Sequence, residues 1–433
     1  MTLNMCCQPL FFRGGKNKKA KKIKFTPEKL GYEFFFQIYL QCTPLRSEGK
    51  ILKKYILTFN SPNQQIINKA NINYLINHIP MKKIFSTIVL GLALGFFATA
   101  QEEEKPGLEI SGSVDTYFKY DFSGESQIPT SFASDQNSVS IGMIDLGLSQ
   151  TVGKASFVGE ISFGPRGQAQ SLVQGEYGSF NIQNLYVSYA LSDVVSLTAG
   201  YMGTFVGYEV ISPAANFNYS TSYLFTSGPF QNAGIKADFA LADNFGLMVG
   251  LFNDWNIYTD FNGVSDIGAQ VYYSPADGMD IYLNAIHGYN DDAIYMGAPG
   301  KSTEIDLTAG FQLSDAFYLG VNAATATYEL NDGSDEKGGF SGIALYPQYS
   351  FSDKVALGYR GEYFMLKDTE IGDMTYDGSN VLSNTFTLNY YAGPLTFSTE
   401  LRFDSASEEW FYDSDNEPTK SATQFLLAAI YSF

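Results

Sequence analysis

The chain has 433 residues, with 27 Lys and Arg against 45 Asp and Glu and a formal net charge of −18. That acid excess excludes nucleic acid as a partner. The three cysteines, Cys6, Cys7 and Cys42, all lie near the start, which excludes a disulfide framework or a thiolate metal site in the remainder.

Residues 1–80 carry 13 Lys and Arg against 3 Asp and Glu and show no periodic pattern. Met81-Lys82-Lys83 then leads into an apolar run from Ile84 to Phe97, followed by Ala98-Thr99-Ala100. A positive start, an apolar middle and a small-residue cleavage site make residues 81–100 a secretory signal peptide. The run is too short and wrongly flanked for a transmembrane helix. Met81 is accordingly expected to be the true start, with 1–80 as translated upstream sequence and Gln101 as the mature N-terminus. Residues 101–433 hold 12 Lys and Arg against 42 Asp and Glu, a net charge of −30, and no cysteine. No linker divides them, so they read as one domain.

From Leu108 onward the chain alternates. Even positions are apolar or small in Leu108–Asp115, and odd positions form the apolar face in Val355–Tyr363 and Leu395–Phe403. Side chains of a strand point to opposite faces with period 2, so each segment is a strand with one apolar and one polar face. Turn residues interrupt the runs at Val152-Gly153-Lys154, Ser192-Asp193, Ala242-Asp243-Asn244, Ser274–Gly278, Ser314-Asp315, Ser352-Asp353-Lys354 and Ala392-Gly393-Pro394. These predict seven tight hairpins. With one strand at each end, Leu108–Phe122 and Gln424–Phe433, the count is 16.

The turns are about 33 to 51 residues apart, and each interval holds two strands and one longer polar loop. A propeller would need four strands per repeat. A transmembrane barrel needs an even strand number, short turns on one side, long loops on the other, and aromatic girdles. The longer loops, Ser123–Val139, Asp332–Gly338, Lys367–Asn380 and Ser405–Ser421, are often acidic, and aromatics such as Tyr117, Phe118, Tyr120, Tyr289, Tyr363 and Phe364 cluster near strand ends. The expected fold is therefore all-β: a transmembrane antiparallel β-barrel of about 16 strands, with short periplasmic turns and long outer loops. The last strand carries Phe425, Leu427, Ala429, Tyr431 and Phe433 on one face. Outer-membrane barrels typically end in such an aromatic, which implies recognition of Phe433 by the barrel-assembly machinery. Lipid and lipopolysaccharide are the expected surroundings, and a homo-oligomer is open.

Thr204–Phe230 breaks the alternation. It holds seven aromatics, two prolines and one charge, Glu209. So much aromatic area is not left on an exposed loop, and so long a connection is usually functional. Its expected place is the bore, as a constriction formed by Tyr208, Glu209, Asn216, Asn218, Tyr219 and Tyr223. The aromatics would pack on the inner wall, and Glu209, Asn216 and Asn218 would meet the solute, opposite Arg360 or Arg402. The polar strand faces give the wall lining. Lys119, Lys236, Arg360 and Arg402 are its cations, and its 11 acids include Asp238, Glu362 and Glu400. Same-face neighbours two residues apart suggest the pairs Lys236/Asp238, Arg360/Glu362 and Arg402/Glu400. Acids outnumber bases, so mild cation selectivity is expected.

Catalytic signals are weak. His287 is the only histidine after residue 100, and its neighbours Ile286, Gly288 and Tyr289 supply no serine or threonine hydroxyl for a nucleophile. Asp413-Ser414-Asp415-Asn416-Glu417 lacks the glycine and spacing of an EF-hand loop, and no phosphate-binding fingerprint occurs. The reading is a non-enzymatic channel without cofactor or metal.

Asn216–Ser220, Tyr223-Leu224-Phe225, Gly228-Pro229-Phe230, Gly234-Ile235-Lys236 and Phe245–Trp255 resemble the OmpL-like β-barrel porins of Gram-negative bacteria. The resemblance spans most of residues 101–433 and is strongest from about 185 to 256. It implies an outer-membrane porin for passive diffusion of small solutes, in which 204–230 is the third outer loop, folded inward between strands five and six. The alternative is a channel specific for one nutrient, or a structural or surface-binding barrel.

Overall fold

The structure is a computed structural model that describes residues 43–47, 50–54 and 107–433, apart from 168–180, 261–262, 296–297, 331–336, 372–373 and 377. The expected signal peptide, 81–100, and most of 1–80 lie outside the described residues. Within 1–80, Thr43–Ser47 pairs with Lys50–Lys54 in a small hairpin.

The alternating segments form strands as their period requires. They are β1 (Glu109–Asp121), β2 (Ser138–Val152), β3 (Ala155–Phe163), β4 (Ile182–Ala190), β5 (Val195–Gly203), β6 (Gln231–Ala242), β7 (Phe245–Phe252) and β8 (Asp266–Ala276). The second half adds β9 (Met279–Tyr295), β10 (Ala298–Gln312), β11 (Phe317–Leu330), β12 (Lys337–Ser352), β13 (Val355–Leu366), β14 (Asn380–Ala392), β15 (Leu395–Ala406) and β16 (Ser421–Ser432). All 16 close into one antiparallel barrel. Closure is made by β16 on β1, from Gln424 opposite Asp121 to Ser432 opposite Ser113. No strand edge of the barrel is left unpaired, as a sheet surrounded by hydrocarbon requires. All seven expected hairpins are present. Three turn on a glycine with positive φ, Gly153, Gly278 and Gly393, a conformation that tight hairpins demand.

The barrel is apolar outside and polar inside. Val139, Ile141, Val187, Ile235, Leu251 and Leu382 are exposed on its outer surface, whereas Asp115, Asp306, Asn322 and Thr385 are buried inward. An ionised group facing lipid would cost about 2–4 kcal/mol at the midplane, so the alternation dictates this orientation. Exposed Tyr189, Tyr273, Tyr349, Tyr390 and Tyr431 ring the short-turn end. Phe122, Phe163, Tyr363 and Phe403 stand exposed near the long-loop end. These are the two interfacial girdles of a membrane barrel.

Candidate pore and its inner loop

Residues 204–230 join β5 to β6 and fold into the barrel. The loop is closed at its base by the Thr204 N–H donating to the Phe230 carbonyl at 3.1 Å. Its aromatics pack on the inner wall, as their number suggests. Phe205 stacks on Phe252 at 5.5 Å between centroids, Tyr208 on Tyr346 at 4.3 Å, and Tyr223 on Phe364 at 5.4 Å. Tyr219 lies 5.7 Å from Tyr117, and Phe225 lies 5.7 Å from Phe132 of the β1–β2 loop. The wall receives these rings at glycines. A Cβ on Gly358 would overlap Phe217, one on Gly320 would overlap Tyr208, and one on Gly268 would crowd Phe205. An inward glycine in a strand marks a place where another group must come close.

Wall carboxylates hold the loop backbone. Glu400 accepts from the N–H groups of Tyr219 and Ser220 at 2.6 and 3.1 Å. Glu362 accepts from those of Tyr223 and Leu224 at 2.9 and 2.8 Å. The latter two begin a short helix, α1 (Tyr223–Ser227), whose N-cap Ser222 accepts from the Phe225 N–H at 3.0 Å. The first amides of a helix have no partner within it and carry its positive end, so a carboxylate is their natural complement. Asp306 receives the Gly207 N–H at 3.0 Å, and Asp145 the Ser212 hydroxyl at 2.9 Å. The Tyr223 hydroxyl donates to Asp404 at 2.7 Å and that of Tyr219 to Asp115. Burial pushes the hydroxyls of Tyr208, Tyr219 and Tyr223 above the usual phenol range, so they remain donors.

The cations take partners other than those that spacing suggests. Arg360 meets Glu209 of the loop at 2.8 Å and donates to the Ser220 carbonyl, while Glu362 is engaged by α1. Arg402 pairs with Asp404 at 2.9 Å and reaches the Thr221 carbonyl at 3.0 Å, leaving Glu400 to the loop amides. Only Lys236/Asp238 pairs as its spacing suggests, at 3.0 Å. The loop laid on the wall supplies closer partners for Arg360 and Glu400, and Arg402 then turns to its other same-face neighbour, Asp404.

The expected solute-facing groups are also placed differently. Glu209 is 5% exposed and accepts from Ser222 as well as from Arg360. Asn218 is buried and donates to Thr387 at 2.6 Å. Asn216 is half-buried and staples the loop to itself through the N–H and carbonyl of Val210. Glu209 and Asn218 therefore fasten the loop to the wall, and Asn216 fastens the loop to itself. Lys119 is buried beneath the β1–β2 loop and donates to Ser126.

Sequence reasoning missed Arg166. It follows β3, is fully buried, and lies 4.2 Å from the ring centre of Phe132 and 4.9 Å from that of Tyr219. It donates to the carbonyls of Ile211 and Tyr219 at 2.7 and 3.1 Å, adding a second arginine that pins the loop beside the Arg360 contact at Ser220. Its isolation beyond the end of an alternating run was the only available signal.

A closed 16-stranded barrel with an apolar belt and a wall-bound inner loop is the architecture of an outer-membrane porin. Residues 107–433 match the family model described as "Putative beta-barrel porin-2, OmpL-like", and the chain belongs to that family. No curated protein matches the chain. Among solved structures, the outer membrane channel DcaP of Acinetobacter baumannii is similar, with 13% identity over 78% of this chain and 100% of that one and a TM-score of 0.54. OprB of Pseudomonas putida is 12% identical over 76% and 94% of the two chains, with a TM-score of 0.52. An anion-selective porin from Comamonas acidovorans is 14% identical over 76% and 99%, with a TM-score of 0.51. The chain is a porin of the outer membrane.

Proposed function

We propose that the barrel passes small polar solutes and ions by passive diffusion, with residues 204–230 as the element that narrows the bore. The observation that carries this is the fastening of the loop across the wall by Glu362, Glu400, Asp306 and Arg360. A loop held at both its middle and its ends takes up cross-section without closing on a substrate. The passage therefore selects by size and charge and performs no chemistry. Both ends of the barrel, at Glu109 and Ser432, lie on the short-turn side, which on this reading is periplasmic, and the chain is exported by residues 81–100. Phe433 marks the chain for the barrel-assembly machinery, and the acidic outer loops meet lipopolysaccharide. Small solutes are the partners in transit, and assembly into a homo-oligomer is compatible with the apolar outer face.

Liposome swelling with sugars of graded size tests this. Rates that fall smoothly with size are the expected result. Saturation by one sugar would favour a nutrient-specific channel, and no swelling would leave a structural barrel.

A further inference from the structure

The loops cover the inner wall unevenly. On β1 and on β10 to β15, the inward charges Asp115, Asp306, Arg360, Glu362, Glu400 and Arg402 are each 3% exposed or less. Every one of them is hydrogen-bonded to the loop or to a wall neighbour. On β3 to β6, toward the short-turn end, the inner face remains open. Glu160 and Tyr186 are half-buried there, and the side chains of Lys236 and Asp238 are 23% and 34% exposed.

The register gathers these residues on adjoining strands. Glu160 is beside Asn184, whose amide donates to it at 2.6 Å. Tyr186 lies two residues along the same face, opposite Val158 on one side and Gly200 on the other. Lys236 and Asp238 stand opposite Thr198 and Ser196. This sector therefore offers two carboxylates and one ammonium to water. The more numerous charges of β10 to β15 are covered by the inner loop.

Resting on the porin reading, we infer that solutes travel along the β3–β6 sector and that Glu160, Lys236 and Asp238 set the ion preference, in favour of cations. Arg360 and Arg402 exert little field at a distance because Glu209 and Asp404 offset them, and the inner loop keeps the remaining carboxylates of that wall out of contact with a passing ion. A solvent-facing charge acts directly on an ion passing it. At about 7 Å in water one unit charge is worth roughly RT, halved by a Debye length of about 10 Å at 0.1 M salt. Removing one such charge raises the concentration of one ion sign and lowers that of the other, so the permeability ratio changes about threefold.

The test is the reversal potential of the purified barrel in planar bilayers under a KCl gradient. Wild type is expected to prefer K⁺. Lys236→Gln should raise the K⁺:Cl⁻ ratio about threefold, and Glu160→Gln or Asp238→Asn should lower it similarly. A second readout uses the absence of cysteine from residues 101–433. A cationic methanethiosulfonate should alter the conductance of Tyr186→Cys and leave Thr387→Cys, 0% exposed beneath the loop, unmodified. Heat-modifiable gel mobility confirms that each variant is folded. A ratio indifferent to all three charge substitutions but moved by Glu400→Gln would overturn the inference and leave the porin standing. Wild type without any conductance would overturn both.

Discussion

The sharpest consequence of the loop's attachment concerns Glu362. Its carboxylate accepts the Tyr223 and Leu224 N–H groups at 2.9 and 2.8 Å, at the start of α1 and nowhere exposed to water. In Glu362→Gln one oxygen becomes an amide nitrogen, which faces an N–H donor instead of accepting from it. A hydrogen bond to a charged group contributes about 1.5–3 kcal/mol, against about 0.5–1.5 for a neutral one, and a donor left facing a donor costs more. The expected loss is about 2–3 kcal/mol, confined to the docking of the loop, because the β13 ladder is untouched. Each 1.4 kcal/mol is about a factor of ten in an equilibrium, so the undocked population should rise roughly 30- to 150-fold. Ser383 reports on this. It is 0% exposed and stands in register between Glu362 on β13 and Asp404 on β15. In a Ser383→Cys background, the rate of labelling by a charged thiol reagent should increase by that factor when Glu362→Gln is added. Single-channel records should show more frequent steps to higher conductance. Equal labelling rates with and without Glu362→Gln would refute the claim that this carboxylate holds the loop.

Gly358→Leu should displace Phe217 from the wall, because any Cβ there overlaps the ring. Labelling at Ser383→Cys should rise while the folded gel mobility persists, and a failure of the barrel to fold would show instead that the strand needs the glycine. Shortening the loop between Gly207 and Gly228 should raise single-channel conductance with the barrel intact, since no strand is touched. Unchanged conductance would exclude the loop from the narrowest point. Phe433 continues the β16 ladder onto Gly112 through reciprocal backbone hydrogen bonds of 3.0 Å, and the residue is exposed. Phe433→Ala should thus spare the ladder and reduce the yield of inserted barrel in cells, read as the heat-modifiable fraction in outer-membrane preparations. Undiminished yield would argue against recognition of this residue.

The strands, their number and their order in the barrel were legible in the sequence. Alternation is a local property of an extended backbone: Leu108–Asp115 or Leu395–Phe403 declares its two faces without reference to any other segment. The turn residues then fix hairpin order, and an acidic polar face cannot meet lipid, so it must meet the interior. The inward fold of 204–230 was legible for a similar reason, since seven aromatics need burial wherever they can find it. The partners of individual charges were not legible. Arg360 chose Glu209 over Glu362, and Glu400 chose the amides of Tyr219 and Ser220, about 180 residues away in sequence, over Arg402. Those choices depend on how closely the loop lies against the far wall, at Gly358 and Gly320 among other places, and a pattern within one strand carries no such information. The same contact decides which charges water can reach. Composition counts every inward carboxylate equally, whereas only tertiary packing separates the sealed Glu362 and Glu400 from the open Glu160 and Asp238, because desolvation and pairing act over a few ångströms of space and not along the chain.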